Sequence, residues 1–546
     1  MLVHLFPTLS HAFQNWLPSN RLFLPFAIVL TAVVGKRIIN WLRAPRLLFP
    51  LPPGPPTSWL NGPAKPYEHS WRNYDVWAEE YGELVYFSHL GNKVLVLNSY
   101  EAFIELFEKR GEKYASRPVR TMVVDVLGFD FMITTMTLGE KFKRHRYLFH
   151  KYFKRLEHSK YNGAQLIQVN AFLHDLLKEP ESFRTLIHRS SAAVVLRMLY
   201  GHDVATDGDK YVELAAQVTA AITKAGPFGT FKVDYIPWLR FVPSWMPGAG
   251  WKREALESRK KARQLLNEPF AQAKADLISG QEAICMVTTE LEALMNGDKN
   301  HNMNVDEEVI KNTAATAFTA GAETVVSILS SFFLVLTKFP AVQQRAQEEV
   351  DRVLGGRLPT IEDRGRLPLI QSMVYELLRW NPVTPIGLPH YASEMDTYGG
   401  YTIPEGTTVI PNLWRMLHDP VAYPEPNTFK IDRFLNRILA NETHVRDKNA
   451  RERAGPRGVN SIPDAAIFGA GRRACPGKYI AHDFIFLMVT SVLATFQVTR
   501  AVNEAGQEID PNPDYTPFLG SHPGSFPCVI TPRSPEAVRL IQENEI

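Results

Sequence analysis

The stretch Phe468-Gly469-Ala470-Gly471-Arg472-Arg473-Ala474-Cys475-Pro476-Gly477 constrains this chain more than any other. It sets one cysteine on a glycine-rich turn, ahead of an apolar run from Tyr479 to Phe496 that reads as a buried helix. Gly471 and Gly477 permit backbone angles or close approaches that a side chain would obstruct. Pro476 suits the first helical position, where its missing N–H costs nothing. The Cys475 sulfur is thus expected at a helix N-terminus, whose free N–H groups and dipole favour a thiolate. Arg473 adds a positive charge nearby. Such a thiolate serves a metal, an electrophile or an oxidant; without this frame, a lone cysteine is more often a small buried hydrophobe.

Composition adds bounds. At 546 residues the chain exceeds the usual single-domain size, though some folds run this long as one unit. An apolar share of 45% and a charged share of 21% suit a globular protein with a large core. The net charge of +3 points to no partner class, and no nucleic-acid partner is expected. No zinc spacing, phosphate loop or dinucleotide fingerprint competes with the cysteine loop. Cys285, Cys475 and Cys528 are scattered and odd in number, which argues for a reducing compartment rather than a disulfide framework. The sequon Asn441-Glu442-Thr443 matters only to a lumen-facing domain and is expected to be unused.

Near the N-terminus an apolar run, Leu22–Gly35, is followed by Lys36, Arg37, Arg43 and Arg46. It is shorter than the ~20 residues that span a bilayer comfortably. Flanking Arg21, Lys36 and Arg37 can snorkel, and Ile38, Ile39, Trp41 and Leu42 extend the apolar character. The reading is a single-pass anchor, with an interfacial helix as the alternative; the basic excess behind it places the bulk of the protein in the cytosol. Pro50-Leu51-Pro52-Pro53-Gly54-Pro55-Pro56 is a stiff, helix-excluding hinge. The expected division is residues 1–48 as anchor and linker and 49–546 as the globular domain.

A hairpin is expected around Gly91-Asn92, between Glu83 and Asn98. Beyond it the chain turns predominantly helical. Gly139–Arg146 looks like a basic helix start, in which Phe142 and Arg146 share a face. Pro227–Trp251 is aromatic and broken by prolines; a membrane-dipping patch near substrate entry is the functional reading, core packing the bland one. Asp306–Phe339 is the longest expected helix, acidic at its start. A glycine in its middle costs about 1 kcal/mol relative to alanine, so Ala320-Gly321-Ala322-Glu323-Thr324 needs a reason. Small residues admit a flat cofactor or dioxygen, and Glu323 and Thr324 offer a carboxylate and a hydroxyl for proton delivery. The competing reading is a helix crossing, with Thr324 bonded back to a carbonyl. Glu376 and Arg379 share a helix face.

The pattern F-x-x-G-x-R-x-C-x-G at 468–477 resembles the haem-ligand loop of the cytochrome P-450 superfamily. Further resemblances follow in the family's order: A-G-x-x-T at 320–324, E-x-x-R at 376–379, and Ile431-Asp432-Arg433-Phe434 where P-E-R-F is usual. The resemblance implies a mainly α fold with small β-sheets, a helix-rich haem domain and a minor β-rich lobe. It implies that Cys475 is the axial ligand of haem iron. Arg473, Arg146 and His390 would serve the haem propionates, Phe468 would pack beside the sulfur, and Gly469, Gly477, Gly321 and Ala320 would line the haem. Phe142 stands where the family usually has tryptophan, so an indole contact to a propionate is absent. Thr324 and Glu323 would be catalytic; Glu376, Arg379 and Arg433 would be structural; Val383, Ile386 and Phe518 would line the substrate pocket. The implied activity is a haem-thiolate monooxygenase inserting one atom of dioxygen into a hydrophobic small molecule. The implied cofactor is haem b, with electrons from NADPH through a flavoprotein reductase or a cytochrome b-type donor. Lys143 and Arg144 would help to dock an acidic redox partner. The sequence style is similar to fungal members at the endoplasmic reticulum membrane, catalytic domain in the cytosol. A haem-thiolate isomerase or dehydratase and a membrane-anchored gas sensor are the rival functions.

Overall fold

The computed structural model describes residues 35, 49–57, 70–154, 158–227, 229–281, 283–297, 305–443, 459–517 and 519–544. The chain forms two compact units, residues 1–51 with 397–402 and residues 52–396 with 403–546. The anchor expected over Leu22–Gly35 lies, apart from Gly35, outside the described residues, as do Phe228 and Phe518.

The larger unit begins with α1 (Ser70–Tyr81), β1 (Leu84–His89) and β2 (Asn92–Leu97). Leu90 and Gly91 both take positive φ (49° and 82°), the pairing that a tight two-residue hairpin turn requires. The turn therefore sits one residue earlier than expected. The helices follow: α2 (Glu140–Phe153), α3 (Asn162–Lys178), α4 (Phe183–Tyr200), α5 (Lys210–Ala225), α6 (Gly250–Ser279), α7 (Met286–Met295), α8 (Glu307–Lys338), α9 (Pro340–Leu354) and α10 (Pro368–Trp380). Short strands β3 (His390–Tyr391), β4 (Asp396–Tyr398), β5 (Tyr401–Ile403) and β6 (Thr407–Pro411) come next. The chain closes with α11 (Leu435–Thr443), α12 (Lys478–Thr495), β7 (Phe496–Arg500), β8 (Cys528–Pro532) and α13 (Pro535–Glu543).

The principal sheet has the order β1-β2-β6-β3; β2 and β6 run parallel, and the other pairs antiparallel. β5 and β6 therefore do not form a hairpin, since β5 pairs with β4. Helix α8 is the axis of the core. Its N-cap Asp306 accepts the Val309 N–H at 2.9 Å, and Glu307 and Glu308 complement the dipole in its first turn. Two described helices, α8 and α12, are apolar and long enough to cross a membrane, but most of each is buried in the protein. They are core helices.

Glu376 on α10 is the centre of a buried ion cluster. Arg379 Nε and Nη2 donate to it at 2.7 and 2.9 Å, and Arg433 Nε at 2.9 and 3.0 Å. Arg433 also donates to the carbonyls of Pro424, Glu425 and Thr428, and Arg379 to those of Leu417 and Pro426. The two guanidinium groups thus tie the irregular segment that precedes the cysteine loop to α10. Asp432, beside Arg433, pairs instead with Arg345 on the surface.

Candidate functional site

Glycine shapes the cysteine loop at two points. Gly469 has φ +77° and Gly471 φ +59°, the left-handed region. A Cβ on Gly471 would also lie 2.4 Å from the Phe107 carbonyl oxygen. Gly477 differs: its φ is −82° and a Cβ there would meet nothing within 4 Å, so the packing around it does not demand glycine. Pro476 sits in a turn and not in the first position of the helix, because α12 begins at Lys478 with Gly477 as its N-cap. The Cys475 N–H donates to the Phe468 carbonyl at 2.6 Å, closing the loop on itself. The Phe468 ring lies 5.0 Å from that of His482.

The Cys475 side chain is accessible, yet burial is the main influence on its pKa and pushes it up. The two observations agree if the thiol faces an enclosed space rather than bulk water. Opposing the burial are a hydrogen bond from the Gly477 N–H and the charges of Arg146 and Lys478. The sequence-based expectation of a freely stabilised thiolate is therefore corrected: within the protein alone, desolvation outweighs the helix end. A bound cation reverses that balance.

Arg146 acts on the sulfur, and Arg473, Arg117 and His390 form a linked group with it: Arg146 acts on Arg473, and Arg473 on Arg117 and His390. Arg473 donates to the carbonyls of Ala115, Ile133 and Met136 (2.6, 2.9 and 2.5 Å), and its guanidinium stacks 3.9 Å from the centre of the Phe142 ring. Phenylalanine in place of tryptophan thus provides a face for Arg473. Burial and then the Arg146 charge push the Arg473 pKa down to about 10. Arg146, on α2, is likewise lowered by burial and raised by Cys475. His390 presents Nδ1 to the Tyr114 carbonyl at 2.7 Å and stacks on Phe107 at 3.7 Å. Burial holds its pKa well below the usual histidine value, helped by Arg117 and then Arg473.

Arg117 was missed by the sequence reading. It is 6% exposed and donates Nη1 to the Leu388 and Pro389 carbonyls, while its buried Nε has no hydrogen-bond partner among the described residues. Its only sequence signal is the tripeptide Ser116-Arg117-Pro118, with no periodicity around it. A buried guanidinium with an unpartnered Nε, beside Arg473 and His390, calls for an anion. Cys475 supplies a soft ligand for iron, and the cations suit a pair of carboxylates. This donor set fits an iron porphyrin bearing propionates.

Helix α8 supplies the other wall. Although the helix is mostly buried, Ala320 and Thr324, one turn apart, are exposed on one face. Thr324 Oγ1 donates back to the Ala320 carbonyl at 2.9 Å. Gly321 faces elsewhere: a Cβ there would lie 3.0 Å from a methyl of Val195 on α4. The lack of a side chain at Gly321 therefore suits the crossing with α4. Glu323 is 8% exposed and turns towards α4, where His188 Nδ1 lies 3.3 Å from its Oε1. Ile386 is 2% exposed and packs in the cluster of Trp71, Phe87 and Ile410, while Val383 packs against the main core. Lys143 and Arg144 are engaged at the surface by Glu140 and Asp306.

Comparison with known proteins agrees with this geometry. The family model described as cytochrome P-450 matches residues 52–523. A cytochrome P-450 monooxygenase of Armillaria gallica is 35% identical, over 95% of this chain and 99% of its own length. Cytochrome P-450 monooxygenase 208 of Postia placenta is 36% identical, over 90% and 92%. A tryptamine 4-monooxygenase of Psilocybe cyanescens is 32% identical, over 94% and 99%. Among solved structures, a zebra fish cytochrome P-450 with abiraterone superposes with a TM-score of 0.64 at 23% identity, over 85% of this chain and 100% of that one.

Proposed function

The chain belongs to the cytochrome P-450 family, and we propose that it inserts one oxygen atom from dioxygen into a hydrophobic small molecule, by hydroxylation or epoxidation. The observation that carries this reading is the accessible Cys475 thiol on its glycine-built loop, with Arg146 close enough to act on it and a buried Arg117 Nε that lacks a partner among the described residues. The haem, when bound, supplies the binding and reductive activation of dioxygen.

In this proposal Cys475 holds the iron, and Arg117, Arg146, Arg473 and His390 hold the propionates. Lining positions are Phe468, Gly469, Gly477 and Ala320. Thr324 holds a proton at its hydroxyl on the exposed face of α8, and Glu323 feeds protons to that face from the buried side. Glu376, Arg379 and Arg433 hold the approach to the cysteine loop. Val383 and Phe518 are the proposed pocket residues; the burial of Ile386 in the hairpin cluster leaves it a supporting role.

Electrons are proposed to come from NADPH through a flavoprotein reductase, or from a cytochrome b-type donor, docking near Lys143 and Arg144. Residues 1–48 are proposed as an anchor in the endoplasmic reticulum membrane, the remainder facing the cytosol. The exposure of Trp238 (77%), Phe241 (62%), Trp245 (78%) and Val119 (73%) supports a second contact with lipid. That one relative is named for tryptamine supports a small organic substrate.

The test is the absorption spectrum of the reduced protein under carbon monoxide. A strongly red-shifted Soret band, absent in Cys475→Ala, is the expected result, followed by reductase-supported turnover. A band typical of histidine-ligated haem, or no haem, refutes the reading.

A further inference from the structure

We infer that His188, with His522 beside it, is the positioning residue through which Glu323 exchanges protons with solvent; this rests on the monooxygenase reading above. Glu323 and Thr324 are consecutive on α8, so their side chains diverge by about 100° around the helix axis. Thr324 is exposed on one face, whereas Glu323 is buried towards α4. There the carboxylate meets an imidazole: His188 Nδ1 is 3.3 Å from Glu323 Oε1. The His188 side chain keeps 38% of its accessible surface and that of Glu323 only 11%, so the imidazole is the more accessible member of the pair.

A second imidazole closes the group. His522, in the loop after Gly520, is near enough to feel the charges of Glu323, His188 and Arg184, and burial chiefly lowers its pKa. The loop is fixed in place: Arg184 donates to the Pro523 and Gly524 carbonyls at 2.7 and 2.6 Å, and the Ser521 N–H donates to the Val383 carbonyl at 2.7 Å. The groups shown to interact with His188 are thus Glu323 from α8 and His522 from the loop, while Arg184, on the same helix as His188, acts on His522. Arg184 is committed to carbonyls, which leaves the carboxylate to titratable partners. A lysine or arginine partner would pin Glu323 as a permanent anion, whereas an imidazole gives up its proton near neutral pH.

The step moves only a proton. The His188 Nδ1–H bond breaks and a Glu323 Oε1–H bond forms, leaving a neutral imidazole and a neutral carboxyl. Water reprotonates the imidazole, and Glu323 is left holding the proton on the α4 side of the helix.

The test uses the full-length holoprotein and His188→Gln, which keeps a hydrogen-bond donor but does not titrate. Product formed per dioxygen consumed falls about tenfold in the variant. Its pH profile flattens across the histidine range while KM is retained, which a merely structural role would not produce. In the infrared, the carboxyl band that disappears in Glu323→Gln shifts in frequency in His188→Gln, because its hydrogen-bond partner has changed. A wild-type product ratio, pH profile or carboxyl band in His188→Gln overturns the inference. Were that variant unable to fold, an unchanged pH profile in His522→Gln would overturn it. A wild-type protein without the thiolate-haem spectrum would overturn the monooxygenase reading and this inference together; a normal wild-type spectrum with an indifferent His188→Gln overturns the inference alone.

Discussion

Replacing Glu376 by glutamine isolates what the buried ion cluster does for the cysteine loop. The Glu376 and Arg379 side chains are fully buried, and that of Arg433 is 1% exposed. The carboxylate accepts from Arg379, from Arg433 and from the Lys430 N–H at 3.1 Å. Glutamine keeps the shape but turns one acceptor into a donor facing a guanidinium, and it leaves two buried cations with only carbonyl dipoles for company. Breaking such a cluster from one side costs about 3–5 kcal/mol. That is a large fraction of the roughly 5–15 kcal/mol by which a protein is stable. The loss should be local, because both arginines tether the segment between Leu417 and Thr428 to α10. The assay is limited proteolysis with hydrogen exchange over residues 417–434, together with denaturant unfolding. Trp380, whose Nε1 donates to the Asn427 carbonyl at 2.9 Å, reports on the same segment by fluorescence. The expected result is early cleavage there and a fall in haem retention. Replacing all three charged residues by apolar ones of similar size should cost less than E376Q alone. Protection unchanged in E376Q, with a stability loss below about 1 kcal/mol, would refute the clustered-charge account.

Gly471→Ala should cost more than an ordinary surface substitution, since it forces a Cβ to 2.4 Å from the Phe107 carbonyl at φ +59°; thermal melting and haem content measure it, with Gly477→Ala melting near wild type. His418 has its pKa lowered to about 3, chiefly by burial. The unfolded chain therefore binds a proton that the native state refuses, and stability is fully present above about pH 6.5 and falls as pH drops towards 3, by up to about 4 kcal/mol. Unfolding measured against pH should show that acid limb, and His418→Gln should flatten it. Arg117→Leu should weaken haem retention more than Arg472→Leu, because Arg472 pairs only with the exposed Glu112; haem loss to an acceptor globin reports the difference.

The sequence was most legible where chemistry is local. Asp306 followed by two glutamates marked the start of α8 within one residue, and the apolar run after the cysteine marked α12 equally well. The fixed spacing in 468–477 pointed to the family that the comparisons show, without any knowledge of tertiary contacts. What was not legible depends on which neighbour a side chain meets. Gly321 and Gly477 read alike as glycines that admit a cofactor, yet a Cβ on the first would press on a methyl of Val195 on another helix at 3.0 Å, and on the second would meet nothing within 4 Å. Arg117 carries no periodicity, and its importance follows from an Nε left without a partner once the chain has folded around it. The sequence reading had assigned Cys475 a thiolate from its helix end, but desolvation is a property of the assembled interior and runs the other way.

Helix α8 shows why adjacent residues in one motif need separate explanations. At 3.6 residues per turn, Ala320 and Thr324 fall on one face, while Gly321 and Glu323 turn towards α4 to either side of that line. The exposed face offers only a methyl, a backbone carbonyl already bonded to Thr324, and a hydroxyl. It can therefore hold a proton but cannot supply one from solvent. The α4 side holds an acid touching an imidazole that water reaches. In the proposed reading, proton supply would therefore lie on the α4 face of this turn and proton use on the exposed face. An exchange of Glu323 and Thr324 in sequence would keep the composition of the motif and destroy both arrangements, putting a carboxylate on the exposed face and a hydroxyl against His188. The order of the two residues is set by helix geometry, and the partner on α4 decides what the first of them can do.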